Sequence, residues 1–144
     1  NSCKQTRERE KIVIILDTSP SCSKQASFFI DIAKASANLN DLEMYDAPNA
    51  FIVKRYDKSL KKFIDIGVEH ASTLMQWGTF RNRTIIFFGD YDGNRILAKS
   101  SKYNNIYWFN PEYYRNSRHD RGYTGHHYLC RNEDDLIKLI KKMR

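Results

Sequence analysis

Lys11-Ile-Val-Ile-Ile-Leu-Asp17-Thr-Ser19-Pro-Ser21 is the stretch whose reading decides the fold. The apolar β-formers from Ile12 to Leu16 are too few for a helix and too uniform for a half-exposed strand. They predict a strand buried on both faces in the middle of a parallel sheet. The run ends abruptly in a carboxylate and two hydroxyls at alternate positions. Ligands of α/β proteins gather just past the C-terminal edge of such a sheet, and oxygen-only groups suit a hard cation such as Mg²⁺. A capping reading stays open on the same residues, with Asp17 closing the strand and Ser21 or Ser23 N-capping the next helix.

Around this strand, 144 residues suffice for one domain with a proper core. We expect residues 1–10 to form a flexible lead and 11–144 a single domain, a fragment of a longer chain because no Met begins it. No apolar run approaches membrane-spanning length, and Asn1-Ser-Cys-Lys-Gln does not resemble a signal peptide, so no membrane is expected. Cys3, Cys22 and Cys130 are odd in number and form no close pair, which predicts free thiols in a reducing cytoplasm. The net charge of +7 is spread along the chain rather than blocked, the pattern of a solvated basic surface.

In chain order, Phe29, Ile32, Ala33 and Ala37 form a buried stripe on a helix from Ser23 to about Leu39. Leu42–Tyr45 and Ala50–Tyr56 flank Asp46-Ala-Pro48-Asn49 and predict an antiparallel hairpin at a sheet edge. Leu60, Phe63, Ile64, Gly67, Val68, Ala71, Leu74 and Met75 recur on one helical face, predicting a helix from Leu60 to about Trp77 that Ser59 or Asp57 caps and Gly78 ends. Thr84-Ile-Ile-Phe-Phe88 is a second apolar strand, ending in Gly89-Asp90-Tyr91-Asp92-Gly93. A short helix over Asn94–Ser101 and a third strand, Asn105–Phe109, follow. Residues 112–127 show no period and predict a long surface loop. Tyr128–Cys130 predicts a short strand, and Asn132 to Arg144 a closing helix with acids at its start and bases at its end. The fold class is thus α/β, a three-layer α/β/α architecture with a mostly parallel central sheet and one antiparallel edge hairpin.

This order of parts resembles a von Willebrand factor A-type domain, more closely its CoxE-like bacterial branch. Asp17-Thr-Ser19-Pro-Ser21 matches the Asp-x-Ser-x-Ser metal signature of that family. Ile85-Ile-Phe-Phe-Gly-Asp90 stands where the family has an apolar strand and an Asp-Gly turn, and Tyr107-Trp-Phe-Asn-Pro-Glu112 is similar to its Trp-Leu-Asn-Pro strand end. The resemblance implies a non-catalytic interaction domain that holds Mg²⁺, or Mn²⁺ or Ca²⁺, through Asp17, Ser19, Ser21 and Asp90, with Asp92 as the rival of Asp90. The cation's open position would accept an acidic residue of a partner protein. The family's Gly-Gly-Thr loop is missing, so Ser59, or alternatively Asp57, would take the place of its threonine. Pro20 replaces a glycine and Cys22 a methionine of the family pattern.

Other constellations compete. His119-Asp120 has the makings of a general base with its orienter, and His127-Tyr-Leu-Cys130 has metal-ligand spacing without a second pair; surface-loop histidines are the simpler reading. Tyr113, Tyr114, Arg115, Arg118, Arg121 and Tyr123 interleave aromatics with guanidinium groups, a composition of protein-interface hot spots and also of single-stranded nucleic-acid grooves. We read them as partner-binding, with a nucleic-acid-binding module as the alternative. A Mg²⁺-dependent phosphohydrolase of haloacid-dehalogenase type is a lesser one, since Ser19 stands where that chemistry needs a second aspartate.

Overall fold

The computed structural model of the protein describes residues 12–22, 27, 28, 30, 31, 42–67, 71–114 and 118–143. Seven strands form one sheet: β1 (Ile12–Leu16), β2 (Leu42–Asp46), β3 (Lys54–Asp57), β4 (Lys62–Asp65), β5 (Thr84–Phe88), β6 (Asn105–Asn110) and β7 (His126–Leu129). Their spatial order is β4-β3-β2-β1-β5-β6-β7. β2, β1, β5, β6 and β7 run parallel, while β3 and β4 extend the β2 side as antiparallel strands. The Ile12–Leu16 run is indeed central, paired with Leu42–Asp46 on one side and Thr84–Phe88 on the other. The chain leaves β1 for one side and later returns to the other, so the topological switch point lies at the carboxyl end of β1.

Alternation along the strands sends side chains to two cores. Val13, Ile15, Ile85, Phe87, Ile106 and Trp108 meet Trp77 of α1 (Thr73–Trp77) and Ile96 and Leu97 of α2 (Asn94–Ser100). Ile14, Leu16, Met44, Phe88 and Phe109 meet Leu136 of α3 (Glu133–Met143), and Phe28 and Ile30 pack there too. Each large apolar side chain removed from water contributes roughly 1.5–3 kcal/mol. The fold class is therefore α/β, a mostly parallel sheet with an antiparallel edge and helices on both faces. No helix among the described residues is long and apolar enough to cross a membrane.

The expected helix over Ser23–Leu39 lies outside the described residues except at 27, 28, 30 and 31, which are helical; its stripe Phe29, Ile32, Ala33 and Ala37 is outside them. The helix expected from Leu60 is corrected. Lys62–Asp65 is instead strand β4, and the helix is the short α1, N-capped by Ser72 Oγ on Met75 N at 3.1 Å. Asp57 does cap, but it caps a turn, accepting Leu60 N at 2.9 Å, with Lys61 at φ 55° completing the reversal. Pairing against β3 satisfies one side of the β4 backbone, and Tyr56 meets Phe63 edge-on across the strands at 5.3 Å. That cross-strand contact overrides a period that fitted a helix. Two boundaries also move: the last strand is His126–Leu129 rather than Tyr128–Cys130, and the stretch expected as a surface loop packs in part against β6.

Candidate functional site

Asp17 leaves β1 with its own N–H donating to Phe88 O at 2.8 Å, which pins it beside the end of β5. Its carboxylate is only 1% exposed. Oδ1 accepts the backbone N–H of Ser19 at 2.9 Å and of Asn49 at 3.0 Å. Asn49 reaches it because the loop after β2 turns left-handed, with φ 53° at Asn49 and 70° at Ala50. Such backbone is strained for residues other than glycine. The loop is held from outside by α1: Trp77 Nε1 donates to Ala50 O at 2.8 Å, and the Gln76 amide exchanges hydrogen bonds with Ile52 N and O. Asp17 Oδ2, in contrast, is buried with no hydrogen-bond partner among the described residues.

Gly89 brings the second acid in. A Cβ there would lie 2.7 Å from Asp17 Cβ and 2.6 Å from the Phe87 ring, so no larger residue fits between the two strand ends. Asp90 follows, 5% exposed, with Oδ1 accepting Asp92 N at 3.0 Å to cap a single 3-10 turn, Tyr91–Gly93. One carboxylate oxygen each from Asp17 and Asp90, and the sulfur of Cys22, all lie within 4.8 Å of one another. Cys22 is 2% exposed at the end of the 3-10 turn Pro20–Cys22. Burial first, and the Asp17 and Asp90 charges next, push its thiol up to about 12. Asp92 is exposed, and Asp90 followed by desolvation and Asp17 raises its pKa. Two buried acids this close repel one another unless a proton or cation sits between them. An orphaned carboxylate oxygen in that position fits a divalent ion.

The structure therefore brings together Asp17 and Asp90, with Ser19 buried beside them. Asp92 lies outside the buried trio. Ser21 belongs to the same 3-10 turn as Cys22. Ser59 and Asp57 are not brought there. β3 runs antiparallel to β2, so the β3–β4 turn that carries them lies at the opposite rim of the sheet. β4 ends on the Asp17 rim, and Ser72 and Thr73 stand at the start of α1.

Among the partner-binding candidates, Tyr114 is 56% exposed and Arg118 and Arg121 face solvent. Tyr113 and Tyr123 turn inward instead, against His127, at 4.1 and 6.0 Å between ring centroids. Arg115 lies outside the described residues. Sequence reasoning missed the reason for this packing. His127 is not a surface histidine: its ring stacks on Trp108 at 3.8 Å, and its Nε2 lies 3.1 Å from the Asn110 amide nitrogen. Asn110 Oδ1 accepts Glu112 N, so the amide nitrogen donates to Nε2 and leaves the ring proton on Nδ1. Nδ1 sits 3.0 Å from Asp120 Oδ1, close enough for a charge contact but not aligned as a hydrogen bond. Asp120 thus faces His127. Burial pulls the His127 pKa down to about 4. The signal available in sequence was the alternation of the strand, which places His126 and His127 on opposite faces.

No family model, no curated protein and no solved structure matches the chain.

Proposed function

We propose that the chain is a non-catalytic protein-interaction domain of von Willebrand factor A type, which binds a partner at the carboxyl rim of its sheet through a divalent cation. The observation that carries this reading is the convergence of the buried Asp17 and Asp90 carboxylates at adjacent strand ends, one of them with an orphaned oxygen. Asp17 and Asp90 would hold the ion, and the hydroxyls of Ser19 and Ser21 would complete a Mg²⁺ or Mn²⁺ site. The ion's role is to present an open position to a carboxylate of the partner. The net charge of +7 supports the same choice of partner, because a basic surface draws an acidic one in. Tyr114, which packs on Tyr91 beside Asp90, would supply an exposed contact there, and Arg118 and Arg121 are exposed on the β6–β7 connection.

Calorimetric titration of Mn²⁺ and Mg²⁺ into chelator-stripped protein tests the cation, and capture of acidic peptides with and without chelator tests its use. The reading expects heat, a thermal shift, and capture that chelator abolishes. Absence of heat and shift at millimolar metal would end it. Capture that ignores chelator but falls steeply with salt would favour the nucleic-acid alternative.

A further inference from the structure

We propose that Cys22 is a direct ligand of the bound cation, so that the site prefers a borderline, sulfur-accepting ion such as Zn²⁺ over Mg²⁺. This deepens the preceding reading and rests on it.

Three observations lead here. The Cys22 sulfur belongs to the same buried trio as the Asp17 and Asp90 oxygens, all within 4.8 Å of one another. Small side-chain rotations would close that spread onto one ion, given metal–ligand distances of about 2.0–2.3 Å for zinc with oxygen and sulfur. Asp17 Oδ2 is buried with no partner among the described residues, which is a costly arrangement to keep unless something binds it. Finally, among the described residues the thiol's polar neighbours are the Asp90 carboxylate and backbone, with the Asp17 charge close by.

The chemistry then selects the ion. Mg²⁺ demands near-octahedral oxygen coordination and takes no thiolate. Zn²⁺ accepts mixed sulfur and oxygen ligands, and three protein groups leave its fourth position open for water or a partner carboxylate. On binding, a sulfur–metal bond replaces the S–H contact with Asp90. The thiol proton leaves to solvent, no electrons are transferred, and one negative charge is added to a site that the dication neutralises. Neither Ser19 nor Ser21 is then required as a ligand.

Co²⁺, a spectroscopic stand-in for Zn²⁺, distinguishes the alternatives. Titrated into the full chain, it should raise a sulfur-to-cobalt charge-transfer band in the near ultraviolet that Zn²⁺ abolishes and Mg²⁺ does not. Cys22→Ser should remove the band and weaken Zn²⁺ binding by about tenfold or more, while leaving Mn²⁺ binding within about twofold. A Cys3→Ser/Cys130→Ala variant should keep the band, excluding the other thiols. Co²⁺ binding without a band, or an unchanged Zn²⁺ affinity in Cys22→Ser, would overturn the inference and leave the cation reading standing. Binding of no ion at all would overturn both. Should Cys22→Ser fail to fold, the band in the Cys3→Ser/Cys130→Ala protein decides the matter alone.

Discussion

Asp17 bears two loads at once, and they pull in opposite directions. Its Oδ1 anchors the backbone of Ser19 and Asn49, while Oδ2 is buried without a donor among the described residues, and the carboxylate lies close to a second acid. An Asp17→Asn change keeps an acceptor for the two N–H groups and removes the repulsive charge. In chelator, we expect this variant to be more stable than the parent by about 1 kcal/mol in denaturant unfolding, and to lose every cation-dependent thermal shift. Gly89 is the complementary case. Gly89→Ala places a methyl inside the contact distance of Phe87 and Asp17, so an overpacking loss of about 1–3 kcal/mol and a weakened cation response are expected in the same assays. Asp17 and Asp90 were legible in sequence because each follows an apolar run, and strand ends on one side of a parallel sheet share a rim. Cys22 was not, since its part depends on the 3-10 turn Pro20–Cys22, which no periodicity announces.

Among the elements, α1 governs the rim at a distance. It is one short helix, yet Gln76 and Trp77 hold the loop from Ala50 to Ile52 that positions Asn49 over Asp17. Trp77→Phe keeps a ring in the core but strands the buried Ala50 carbonyl, at a cost of about 1–3 kcal/mol. If the loop transmits this change, cation affinity should fall along with stability, whereas a purely local loss would leave calorimetric affinity untouched. The true extent of α1 was hidden in sequence because Phe63 and Ile64, spaced from Leu60 and Gly67 like one helical face, equally fill a short edge strand. Only the partner strand β3 and the Tyr56–Phe63 contact decide between them. The central strands carried no such ambiguity: β1 and β5 are apolar through almost their whole length, and only a doubly covered parallel sheet buries them.

For the whole molecule, two buried ionisable centres sit apart: the acids around Cys22 at the carboxyl rim, and His127 of β7, which meets Asn110 of β6 and Asp120 of the turn Arg118–Asp120. His127 is held neutral by burial, with a pKa of about 4 against 6.5 when exposed. The unfolded chain therefore takes up a proton before the folded one does. Stability is fully present above about pH 6.5 and falls as pH drops through about 4, by up to about 3 kcal/mol. The Asp120 carboxylate opposes this loss and makes that figure an upper value. Denaturant midpoints between pH 7 and 4 should show the decline, and His127→Gln should flatten it even though it lowers stability at pH 7. A slope unchanged by the substitution would assign the acid sensitivity elsewhere. Little of this network was legible in sequence, where Asp120 stands beside His119: alternation separates His126 from His127, but Asn110 reaches His127 from β6 and Asp120 from the turn Arg118–Asp120.

The central claim is that Asp17 and Asp90 close on one cation, and anomalous diffraction from crystals grown with Zn²⁺ or Mn²⁺ tests it most directly. We predict a single anomalous peak within bonding distance of both carboxylates, with the zinc peak also bonded to Cys22 Sγ. An ordered Asp17 and Asp90 with no peak between them at millimolar metal would contradict the account.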